Sequence, residues 1–212
     1  HRGFSFESAM LDAITLLLEN AVEDVLVGGV DEITDTSHTL LSRFGLYKQH
    51  AFSNLDLYNN HSKGTIAGEG AGFFLLSKKT TGNSYAKLDD MATLYKPSSP
   101  GEVAGFVNDF LHRNNIKAGD IGLLVSGENG DAANDKWYGD VKKILFNDTA
   151  TQAFKHFCGE YPTAPAFALW LAANIMKTGK IPAHKKIKAP GKILIYNHYL
   201  TIHHSLYLLS AC

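Results

Sequence analysis

The chain has 212 residues, 45% of them hydrophobic and 19% charged, which is enough apolar material for one substantial globular core. Twenty basic residues stand against twenty-one acidic ones, so a formal net charge of −1 gives no bulk attraction for nucleic acid or an anionic membrane surface. Cys158 and Cys212 are too few for a disulfide framework or a cysteine metal centre, the apolar runs are too short to span a bilayer and no stretch reads as a secretory signal, so a cytoplasmic protein is expected. Residues 5–19 place Phe6, Ala9, Met10, Ala13, Ile14 and Leu17 at helical spacing, with Ser5 as cap and Glu7 near the positive end of the helix. The apolar run 24–29, bounded by glycines, reads as a buried parallel strand, and a helix followed by a buried strand implies an α/β fold. From Val30 to Lys63 the period is lost among polar and aromatic residues, as in a long irregular excursion that lines a site.

Residues 64–77 combine closely spaced glycines with the strand Phe73 to Leu76. A phosphate loop needs a helix after its glycines, so these serve close backbone approach instead. A strand over 86–95 is expected to pair with that one. Ser99-Pro-Gly-Glu102 is a capping box, followed by Val103, Phe106, Val107, Phe110 and Leu111 on one helical face. The strand 121–125 runs into the polar turn Ser126-Gly-Glu-Asn-Gly-Asp131, the end of a strand where open α/β sheets put their sites. Asn134 or Asp135 is placed to cap the next helix, with Trp137, Tyr138, Val141, Ile144 and Leu145 as its apolar face, and a strand over 149–154 follows.

Gly159 then closes a polar turn, and Thr163 is placed to cap a helix with Pro165 in its first turn and Gly179 at its end. That helix is apolar on nearly every side and should be interior, with Cys158, Gly159 and Glu160 at its electropositive start. Two strands, 192–196 and 206–209, flank a loop holding His198, His203 and His204. These histidines lack a convincing fourth ligand, so no metal and no cofactor is expected.

The order of these elements, with Asp24-Val-Leu-Val-Gly-Gly29, Gly68-Glu-Gly-Ala-Gly-Phe-Phe-Leu-Leu76, the segment from Gly159 to Gly179-Lys-Ile-Pro182 and Asn197-His-Tyr199, resembles the β-ketoacyl synthases across nearly the whole chain. The resemblance implies a thiolase-like layered α/β/α/β/α architecture. This chain would cover that fold from the nucleophile helix onward, as a single domain over 1–212 without most of the N-terminal half. The family's cysteine nucleophile falls near Gly3 or Phe4, with Ser5 the nearest hydroxyl; its first histidine falls on Gly127 and its second on Glu160. Glycine offers no donor to a developing enolate and a carboxylate repels it, so the resemblance implies a scaffold without the usual condensing set. Leu200, Ile202 and His203 likewise replace family glycines.

Three readings follow. The first is a non-condensing, chain-length-factor-like subunit of fatty-acid or polyketide synthesis, paired as a heterodimer with an active synthase or as a homodimer. The second is a different acyltransferase using Ser5 with Glu160, Glu128 or Asp135. The third is a condensing enzyme with a displaced set, for which His156, four residues before Glu160, is the candidate. The resemblance further implies an acyl carrier protein as partner. Lys177, Lys180, Lys185, Lys186, Lys188 and Lys192, with no acid among them, form a basic stretch suited to its acidic surface.

Overall fold

The computed structural model describes residues 2–50, 53–59, 62–182 and 190–212. In chain order the elements are α1 (Ser5–Leu18), β1 (Asp24–Asp31), α2 (Asp35–Arg43), β2 (Gly70–Ser77), β3 (Lys87–Tyr95), α3 (Pro100–Arg113), β4 (Leu123–Ser126), α4 (Ala132–Leu145), β5 (Thr151–Ala153), the single turn α5 (Lys155–Cys158), α6 (Ala164–Thr178), β6 (Lys192–Tyr199) and β7 (His203–Ser210). Strands β3-β7-β6-β4-β5 form one sheet, with β4 parallel to both β5 and β6 and with β7 antiparallel to β6 and β3. Strands β1 and β2 form a separate antiparallel pair.

Alternation along β6 and β7 sends Ile193, Ile195, Tyr207 and Leu209 into one core and Leu194, Tyr196, Leu206 and Leu208 into another. The first core is closed by Phe6, Met10 and Ala13 of α1, by the alanine-rich face of α6, and by Val27 of β1. The second is closed by Val103, Val107 and Phe110 of α3 with Tyr138 and Val141 of α4. The layers therefore run α3 and α4, the large sheet, α1 and α6, then the β1–β2 pair. This is the α/β layering expected. The pattern α1–β1–β2 recurs as α6–β6–β7, a helix followed by an antiparallel strand pair, although no repeat is visible in the sequence.

Several local expectations are corrected. Strand β1 is antiparallel to its neighbour, and only one face of the pair is covered: Leu26, Val30, Phe73 and Leu75 are 70%, 60%, 62% and 68% exposed on the other. Strand β3 pairs with β7 and not with β2, because a tight turn at Leu200-Thr201 brings β7 back beside β6 and leaves its far edge to β3. The excursion 30–63 contains α2, whose Thr34 and Ser37 form a capping box. Asp131, earlier than expected, caps α4 by accepting from the amides of Ala133 and Asn134. At α3, Ser99 accepts from the Glu102 amide as expected, but the Glu102 carboxylate turns back to Ser98. The Thr163 hydroxyl does not cap α6; it donates to Asp31 of β1 at 2.7 Å and so ties the helix to that strand. Trp170, on the helix expected to be interior throughout, is half exposed.

Candidate functional site

Two glycines set the geometry. Gly159 has φ +74, and a Cβ there or at Gly68 would collide with the other residue's backbone, so the loop before β2 lies directly on the turn between α5 and α6. The Glu160 amide donates to Ile66 O (2.8 Å) and the Gly68 amide donates to Glu160 O (3.1 Å), which clamps the Glu160 backbone from both sides. Its side chain then has one direction to take. One carboxylate oxygen meets Lys155 Nζ in an ion pair whose side chains are 0% and 7% exposed, and the other accepts from Asn129 Nδ2 at 2.6 Å. Asn129 is itself fixed on every polar group: its amide donates to Asp135 Oδ1 (2.8 Å), its Oδ1 accepts from the Asp131 amide (3.1 Å) and its carbonyl accepts from the Thr65 hydroxyl.

Around this pair the turn after β4 is rich in carboxyls. Burial pushes Glu128 up to about 7, with the neighbouring Asp135 adding to the effect. Burial also raises Asp135 to about 6, against the two backbone amides of Asn129 and Gly130 that donate to it. Lys48, which donates to Ser62 Oγ (2.7 Å) and Gly130 O (3.0 Å), lies across from Asp131.

Gly127 is packed, not open. A Cβ there would sit 2.5 Å from the Tyr138 hydroxyl oxygen and closer still to Asn197 Oδ1. The Tyr138 ring stacks on His198 at 4.2 Å, and its hydroxyl accepts from the His198 amide at 2.8 Å. Next to it β6 and β7 are joined through Leu200 (φ 55) and Thr201 (φ 54), both in the left-handed region, in a turn closed by the Ile202 amide donating to Tyr199 O (3.1 Å). Two histidines hold that turn. His198 Nδ1 accepts from the Thr201 amide (3.3 Å), leaving its Nε2–H for Asn134 O (3.3 Å); His204 Nε2–H donates to Thr201 O (3.0 Å), while its Nδ1 accepts from the Tyr196 hydroxyl (3.1 Å). The His198 ring is thus neutral, and burial lowers His204 to about 4 and His198 well below the usual range.

Glu160, Asn129, Asp131, Asn134, Tyr199 and Leu200 line one small cleft, with a cavity of about 50 Å³. Gly127 lies two residues before Asn129. Ser5 is exposed at the start of α1, outside that lining. Gly3 and Phe4 are covered by His203, whose ring meets Phe4 edge-on at 4.7 Å and lies 6.5 Å from Tyr199. His156 is turned away to Tyr58, whose hydroxyl lies 3.2 Å from its Nδ1. Cys158 is a half-buried thiol that burial pushes up to about 12. Of the basic stretch, Lys177 is committed to Gly82 O and Ser84 O, and Lys185, Lys186 and Lys188 lie outside the described residues. Sequence reasoning passed over Lys155, Asn129 and Tyr138. The five-residue spacing between Lys155 and Glu160 was the one available signal, and it becomes a contact only because α5 is a single turn ended by Gly159.

No family model matches the sequence, and no curated protein does. Among solved structures the chain is similar to the ishigamide ketosynthase/chain length factor (16% identity, TM-score 0.79, 98% of this chain and 59% of that one). It is similar to the type II polyketide ketosynthase AntDE in complex with its acyl-carrier protein AntF (14%, 0.81, 99% and 61%). It is also similar to the ketosynthase from module 6 of the bacillaene synthase of Bacillus subtilis 168 (13%, 0.80, 99% and 45%). The fold is the thiolase-like fold of ketosynthases and chain length factors, and the chain spans about 60% of the length of the first two structures.

Proposed function

We propose that this chain works as a ketosynthase-like subunit that does not condense, a chain-length-factor-like partner of an active synthase in polyketide or fatty-acid synthesis, served by an acyl carrier protein. The observation that carries the reading is the buried Lys155–Glu160–Asn129 unit at the position where the resemblance places the second histidine. Decarboxylation of a malonyl thioester moves negative charge onto the thioester oxygen, and a site that stabilises it needs donors aimed at that atom. Here the lysine and the asparagine are both turned to the Glu160 carboxylate, which puts a negative charge where a donor is needed, and Gly127 has neither a side chain nor space for one. Pairing is supported by the similar structures, which include a ketosynthase with its chain length factor and a ketosynthase with its acyl-carrier protein. The exposed apolar face of β1–β2 adds surface for a dimer.

The deciding experiment follows carbon dioxide release from malonyl-carrier protein, and acyl transfer to the chain by mass. No turnover is expected from the native chain, and Glu160→His alone leaves the rate near background, because groups that act as a unit are not recovered singly. Turnover at about one per second or faster overturns the reading and moves the chemistry to another residue such as His156.

A further inference from the structure

Glu7 is the acidic residue that the site does not use. It stands on the inward face of α1 between Phe6 and Met10, is 1% exposed, and shares the core with apolar side chains from β1, β2 and α6, among them Val27, Phe74 and Leu171. Three other groups face its carboxyl: the hydroxyls of Ser205 and Tyr207 on β7, and the charge of Lys155 on α5. Yet Glu7 Oε2, Ser205 Oγ and Tyr207 Oη are all buried without closing a hydrogen bond. A buried carboxylate accepts only, and would draw both hydroxyls onto itself. Among the described residues the one cation in reach is already held by Glu160, and a single ammonium between two carboxyls balances only one of them.

We propose that Glu7, Ser205 and Tyr207 form a buried proton-holding site between α1 and β7, filled when Glu7 is a neutral carboxylic acid and emptied when it ionises. Burial raises Glu7 to about 7, against the pull of its own backbone N–H, of both hydroxyls and of Lys155, which places the change at neutral pH. A carboxyl held above its unfolded value of 4.5 gives stability that is complete below 4.5 and is lost as the pH rises to about 7. The packing of α1 on the large sheet therefore weakens towards neutral pH and is constant above it. The inference needs only the fold, and stands or falls apart from the reading of the chain as a non-condensing subunit.

The test is carbon-13 NMR of the intact chain with labelled glutamate carboxyls, titrated from about pH 4 to pH 9. One resonance is expected to titrate near neutrality and to be missing in Glu7→Gln. In Tyr207→Phe and Ser205→Ala it should move to higher pH, because a donor to the ionised form is gone. These two variants keep Glu7 and identify the signal even if Glu7→Gln does not fold. Where it folds, its unfolding equilibrium constant should diverge from that of the native chain about tenfold per pH unit between 4.5 and 7. A glutamate set that titrates wholly in the ordinary range, or a neutral-range signal that neither hydroxyl variant moves, overturns the proposal.

Discussion

Residue 127 tolerates no side chain, because the Tyr138 hydroxyl and Asn197 Oδ1 occupy the direction a Cβ would take. Both are held in a buried layer, so Gly127→Ala should cost about 1 to 3 kcal/mol in urea unfolding, by forcing that layer apart. Glu160 behaves differently. Glu160→Leu leaves the Lys155 ammonium buried alone and should cost about 3 to 5 kcal/mol, while adding Lys155→Met should recover most of that loss, as removal of a whole buried pair usually does. Equal losses in the single and double variants would show that the pair contributes through packing and not through charge. The hairpin histidines carry a pH dependence of opposite sign to Glu7. His204, lowered to about 4, gives stability that is complete above the unfolded value of 6.5 and is lost as the pH falls towards 4, about 3 kcal/mol over that span. Because the raised carboxyls Glu7, Glu128 and Asp135 oppose this trend, the measurement is the difference between the native chain and His204→Gln. That difference should shrink from pH 7 to pH 4.5, and a constant one would show that His204 does not stay neutral.

At the scale of elements, the β6–β7 turn is made by two residues poorly suited to it. Leucine and threonine in the left-handed region each carry backbone strain that asparagine and glycine avoid, so Leu200→Asn with Thr201→Gly should raise stability by about 1 kcal/mol if sterics alone decide. A loss instead would mean that Leu200, which lines the cleft, is held there by its packing. The helices were legible one at a time: α1, α3 and α6 fall within a residue or two of their predicted bounds, because caps and 3.6-residue periodicity are local properties. Strand partners were not. The strand expected beside β2 lies across the molecule on β7, and nothing within 86–95 records which edge it will meet. Asp131 was passed over as the cap of α4 because Asn134 and Asp135 are equally good caps by type, and only the turn's path from β4 selects among them.

For the whole molecule the test is association. Leu26, Val30, Phe73 and Leu75 leave one apolar face of β1–β2 open, and light scattering at micromolar concentration should show a dimer, of the chain with itself or with a synthase. A stable monomer in both settings would remove the pairing from the proposed function. Carrier-protein docking is tested by reversing the charges of Lys185, Lys186 and Lys188, which should slow association and weaken its salt dependence with the fold intact. Among the described residues no helix is long and apolar enough to cross a membrane.

By itself the sequence determined the α/β class, the order of the elements apart from α2 and the single turn α5, and the service of the glycines before β2 in close backbone approach. Each of these is written in local residue types: periodicity, caps and glycines. Only the tertiary structure decided that Glu160 is a partner of Lys155, that the space at Gly127 is filled by Tyr138 of α4, and that His198 and His204 are locks on a turn. Those roles depend on contacts that span from 3 positions, His198 to Thr201, up to 64, His198 to Asn134. A single sequence carries the types of those residues but not the three-dimensional path that makes them neighbours.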